Sequence, residues 1–256
     1  MTLAYAPQGL IGLLTPQANT TVEPEAWALL PVGMSLINGR LVSAAPDLMQ
    51  RLRDYFGDLA PTLTQFANAP LSVLALACTG SSYLMGRQAE QEWVAQWSER
   101  LGIPVVTAGL AVVQALQQVG AQRLALASPY PSDLTQASVV YWQSHGFEVL
   151  QLHHVTTSSP GFHAIYTTGT DAAAQTVQAL RGSGADAVLM LGTGMPSLQA
   201  ICDQGQGDGP PVLSSMLALM WRASALCQNR HHDIRPWLSA AQWSLRAQAM
   251  GLLSEP

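Results

Sequence analysis

The feature that most restricts this chain is a pattern written twice. Apolar runs of strand length end in small-residue loops and alternate with helix-length segments. In the first half these runs are 10–16 (LIGLLTP), 33–42 (GMSLINGRLV), 71–78 (LSVLALAC) and 103–109 (IPVVTAG). In the second they are 123–129 (RLALASP), 147–155 (FEVLQLHHV), 187–192 (AVLMLG) and 210–216 (PPVLSSM). Continuous Val/Leu/Ala runs separated by helices indicate parallel strands buried on both faces, so the fold class is α/β. The halves align at an offset close to 113 residues, with Thr15-Pro16 matching Ser128-Pro129, and Cys78-Thr79-Gly80 matching Gly192-Thr193-Gly194. An internal duplication follows, giving two similar open sheets whose strand-end loops meet in one cleft. Ligands of such sheets sit beyond the carboxyl ends of the strands.

The loops at those ends carry the candidate chemistry. Cys78 ends a strand, and the segment after Ser81 reads as a helix, so its sulfur is expected near free backbone amides that favour a thiolate. Thr79, Gly80 and Ser81 supply hydroxyls and amides suited to a carboxylate. The loop after the first strand brings Pro16, Gln17 and Asn19, and its counterpart brings Tyr130. Asn19 and Tyr130 are neutral donors; Asn19 could equally cap the next helix. The site so read is a small pocket for an acidic substrate, with no fixed cation. Cys202 and Cys227 fall in apolar helical stretches and read as packing residues, as do Trp93 and Trp97, four apart on one helix. His153-His154 and His231-His232 lack metal-site spacing.

Composition limits the remaining classes. The chain has 256 residues, 48% hydrophobic and 11% charged, with a formal net charge of −5. That supports one large domain or two small ones and leaves no basic footprint for nucleic acid. No apolar run reaches the roughly 18 residues of a membrane span. The first residues lack the marks of a signal peptide, and three scattered cysteines suit a reducing compartment. A cytoplasmic protein is expected, with no membrane or nucleic-acid partner.

These residues resemble the aspartate/glutamate racemase superfamily, in the branch of maleate cis-trans isomerases and arylmalonate decarboxylases. The resemblance spans nearly the whole chain. It is carried by Pro16-Gln17-Ala18-Asn19-Thr20-Thr21-Val22-Glu23, Ala77-Cys78-Thr79-Gly80-Ser81, Ser128-Pro129-Tyr130 and Met195-Pro196-Ser197-Leu198. It implies two pseudo-symmetric Rossmann- or flavodoxin-like domains with the active site between them. Cys78 would be the cysteine of the first domain, Asn19 and Tyr130 carboxylate-holding residues, and Thr79 part of the carboxylate loop. Thr193, Gly194 and Met195 would belong to the facing loop. Gly192 departs from the pattern, standing where the branch carries a second cysteine.

With one thiol, two-base racemisation is disfavoured unless Thr193 or a water serves as the second base. One thiolate suffices to add to the double bond of a small dicarboxylate and isomerise it. The alternatives are a malonate-type decarboxylation in which Cys78 is the single proton donor, and a carboxylate-binding relative without turnover. No reading needs a cofactor, because the substrate's own carboxylates delocalise the charge. The expected division is 1–110 with 213–256 as the first domain and 111–212 as the second. The helical tail would cap a domain or form a homo-oligomer contact.

Overall fold

A computed structural model of the chain describes residues 3–156, 164–204 and 208–254. The first half runs β1 (Gly9–Pro16), α1 (Val22–Leu29), β2 (Met34–Leu41), α2 (Leu48–Asp54), α3 (Ala60–Leu63), β3 (Val73–Leu76), α4 (Thr79–Met85), α5 (Arg87–Leu101) and β4 (Val105–Thr107). After α6 (Ala108–Val119) come β5 (Arg123–Ser128), α7 (Ser132–Ser144), β6 (Glu148–His154), α8 (Thr170–Leu180), β7 (Ala187–Met190), α9 (Leu198–Gln204) and β8 (Val212–Ser214). The chain ends in α10 (Ser215–Cys227), α11 (Arg235–Leu238) and α12 (Ser244–Ala249).

Two four-stranded sheets result, ordered β2-β1-β3-β4 and β6-β5-β7-β8, with every strand pair parallel. The two orders are the same under the repeat. Central strands β3 and β7 are buried at every residue, as their unbroken apolar runs demand. Each buried leucine contributes roughly 1.5–3 kcal/mol relative to an exposed one. Edge strands β2 and β6 alternate between more and less covered positions.

The last strand, β8, pairs with β7 in the second sheet, and α10 then crosses back to lie on β1, β3 and β4. Arg246 on α12 donates to the Ala28 carbonyl at the end of α1 (2.9 Å), tying the chain end to the first half. In each sheet the strand order reverses between the first and third strands, so the loops following β1, β3, β5 and β7 open outward at the switch points. No helix among the described residues is long and apolar enough to cross a membrane.

Candidate active site

Those four loops enclose a cavity of about 80 Å³. Pro16 and Asn19 come from the β1 loop, Cys78 and Gly80 from the β3 loop, Tyr130 from the β5 loop, and Thr193 and Gly194 from the β7 loop. The remaining wall contains residues that sequence reasoning missed: Leu48, Arg51, Leu52 and Tyr55 on and beside α2, and Ile165 and Tyr166 on a short 3₁₀ turn. No stretch of sequence reveals which way α2 faces, because only its packing against α4 turns it to the cavity.

Arg51 corrects the expectation of a site without a fixed cation. Its guanidinium is anchored on the Ala45 carbonyl, with Nε at 3.2 Å and Nη2 at 2.7 Å, and it lines the cavity. Burial pushes the neighbouring Tyr55 hydroxyl up to about 12, so it stays protonated as a donor.

Cys78 occupies the cap position of α4 with extended backbone, and only 3% of its surface is exposed. Its Sγ lies 3.2 Å from Ser81 Oγ. The Ser81 hydroxyl donates its one proton to the Leu52 carbonyl (2.7 Å), which leaves its oxygen to accept from the thiol. Burial is the largest effect and raises the thiol above its ordinary value, against the lowering by the amides of Gly80 and Ser81. The expected resting thiolate is therefore corrected to a neutral thiol. A four-residue sequence window shows the helix start but not the desolvation, which comes from distant segments.

Asn19 does both things open to it. Its Oδ1 accepts from the amides of Thr21 (2.9 Å) and Val22 (3.1 Å), capping α1, while its Nδ2 donates to Thr193 Oγ1 (3.3 Å). Thr193 in turn donates to the Ala77 carbonyl (2.7 Å). Tyr130 Oη lies 3.0 Å from Thr79 Oγ1, and burial raises its pKa far above the usual tyrosine value.

Not every expected site residue reaches the cavity wall. Gln17 turns away, its Oε1 accepting from the Ser43 amide (2.7 Å), and Met195 is a core residue. Thr79 and Ser81 act behind the wall, through Tyr130 and Cys78. Gly192 stands behind Tyr130 and Ile165. Cys202 and Cys227 are partly buried in α9 and α10, and Trp93 and Trp97 pack on each other with centroids 6.2 Å apart. The stretch 161–171 lies partly outside the described residues, and its Ile165 and Tyr166 line the cavity.

A duplicated parallel α/β protein, with a buried thiol and hydrogen-bond donors in the cleft between its halves, is the class that this fold and site define. The model of the arylmalonate decarboxylase family matches residues 11–235, and the chain belongs to that family. It is 25% identical over 228 residues to maleate isomerase of Geobacillus stearothermophilus, covering 83% of this chain and 89% of that one. Arylmalonate decarboxylase of Bordetella bronchiseptica is 25% identical over 227 residues, with 84% and 89% covered. A shorter match, 28% over 150 residues, joins it to maleate isomerase of Pseudomonas putida and spans 54% of this chain and 60% of that protein. Among solved structures, a cysteine-to-serine mutant of Nocardia farcinica maleate cis-trans isomerase with a covalently bound succinylcysteine intermediate superposes with a TM-score of 0.73. Its identity is 22%, over 87% of this chain and 93% of that one. The relatives are thus enzymes, isomerases and a decarboxylase.

Proposed function

We propose that the chain isomerises a small cis-dicarboxylate of the maleate type, with Cys78 as nucleophile. The observation that carries this reading is one cavity lined by Cys78 together with Arg51 from α2 and Asn19 from the loop after β1. Two donor side chains suit two carboxylates, and Cys78 lines the same cavity. The Cys78 thiol gives its proton to a substrate carboxylate and its sulfur adds to C2, the electron pair of the double bond moves to C3, and the carboxylate beside C3 becomes an enediolate. Rotation about the resulting single bond, followed by departure of the sulfur, gives the trans isomer. The donors are fixed before reaction, so they stabilise the developing charge without reorganising. The succinylcysteine of the Nocardia farcinica isomerase mutant supports the same covalent step here.

A second reading is favoured by the neutral thiol and the apolar wall of Leu48, Leu52 and Ile165. A malonate bearing an apolar group would lose carbon dioxide, and Cys78 would protonate the enediolate from one face. Proton NMR separates the two. Wild type should convert maleate to fumarate, and Cys78→Ser should be slower by at least ~10²-fold, the lower range for losing one catalytic group. Release of carbon dioxide from phenylmalonate with no fumarate from maleate would replace the first reading by the second.

A further inference from the structure

The loops that carry Cys78 and Gly192 are equivalent under the repeat, since each residue follows its strand, β3 or β7, by two positions. Only one of them bears a thiol. What stands at the other is visible in the space around Gly192. A Cβ there would lie 2.9 Å from Tyr130 Oη, 3.1 Å from its Cζ, and 2.9 Å from Ile165 Cδ1. Gly192 also has φ +85°, a left-handed backbone that a side chain would strain. The room a second thiol would need is filled by the Tyr130 phenol and Ile165.

Thr193 is no substitute, because its hydroxyl proton is committed to the Ala77 carbonyl and its oxygen accepts from Asn19. Tyr130 differs. It lines the cavity, and Thr79, the residue after Cys78, holds its hydroxyl at 3.0 Å.

We propose that Tyr130 is the acid–base partner of Cys78 and takes the place in the cleft that a side chain at position 192 would occupy. This rests on the isomerase reading. As the Cys78 thiol gives its proton to a substrate carboxylate and its sulfur bonds to C2, the electron pair arriving at C3 takes the phenolic proton and leaves Tyr130 as phenolate, which accepts from Thr79. After rotation the phenolate removes a proton from C3, the double bond re-forms, and the departing sulfur takes its proton back from the substrate carboxyl. Protons and charge return to their starting places. Burial keeps Tyr130 protonated at rest, so the acid is loaded when the substrate arrives.

The test compares two reagents on the intact protein, wild type and Tyr130→Phe, with the Cys78 adduct quantified by peptide mass spectrometry. Acrylate adds as the substrate would and needs a proton at the neighbouring carbon, whereas iodoacetamide alkylates by displacement and needs none. Loss of a general acid typically costs 10²–10⁴-fold, so the acrylate adduct should form at least ~10-fold more slowly in Tyr130→Phe, with iodoacetamide unchanged within about twofold. Equal acrylate rates, or rates for both reagents falling together as a distorted cleft would cause, overturn the proposal. A wild-type Cys78 inert to both reagents overturns it along with the isomerase reading. Maleate left unconverted by a wild type whose acrylate rate depends on Tyr130 sinks the isomerase reading alone. On maleate itself, Tyr130→Phe should lower kcat with KM held within about threefold; a raised KM at unchanged kcat would assign the hydroxyl to carboxylate binding and overturn its acid–base role.

Discussion

Cys78 and Tyr130 have protonation states decided by what surrounds them. Desolvation raises Cys78 despite its place at a helix start. Its alkylation rate should therefore still climb above pH 8.5, the ordinary thiol midpoint; a plateau reached by pH 7 would refute the neutral resting thiol. Arg51 would supply a charge-assisted bond to one carboxylate, worth about 1.5–3 kcal/mol. Arg51→Met should accordingly raise KM for a dicarboxylate by roughly 10- to 100-fold, with a smaller change in kcat, as read from initial rates. An unchanged KM would remove Arg51 from binding.

Among the elements, α1 and α9 are joined by a buried carboxylate. Glu25 on α1 accepts from the Ser197 amide (2.5 Å) and hydroxyl (2.8 Å) at the start of α9, and the Ser197 hydroxyl lies 2.8 Å from Ser214 Oγ at the end of β8. Burial pushes Glu25 from 4.5 to about 7, against the lowering by its donors. A folded pKa above the unfolded one favours the protonated form. The stability it gives is fully present below pH 4.5 and lost as pH rises through 7, by up to about 3 kcal/mol. Urea midpoints should fall between pH 5 and pH 8, and Glu25→Gln should flatten that fall. Equal slopes in the two proteins would show that Glu25 is not the group responsible.

Across the whole molecule, the halves are fastened by hydrogen bonds that pass through the cavity wall. Thr193 Oγ1 donates to the Ala77 carbonyl (2.7 Å), and Thr21 Oγ1 donates to the Gly194 carbonyl (2.9 Å). The same contacts shape the site and hold the two sheets together. Thr193→Val leaves a buried carbonyl without its donor and should cost about 1–3 kcal/mol, measured by urea unfolding. Turnover should fall with it, because Asn19 also loses its partner. A variant of full stability would show the halves to be held elsewhere.

Strand runs buried on both faces, a repeat close to 113 residues and loops ending in Cys78-Thr79-Gly80 and Gly192-Thr193-Gly194 were legible in the linear order of residues. They were so because hydrophobic period and turn chemistry act over a few positions. The α/β class follows from them, and the resemblance carried by residues 16–23, 77–81, 128–130 and 195–198 pointed to the family. Nothing local reports which face of α2 meets the cavity, so Arg51 and Tyr55 were invisible until that helix packed on α4. Nor does the Cys78 loop report its own desolvation, which depends on side chains many positions away. The space opposite Cys78 was decided in the same way: residues 130 and 165 meet Gly192 only when the second half closes on itself. Chain order dictated the scaffold through short-range patterning, while burial and facing, being sums over distant neighbours, were settled by the folded state alone.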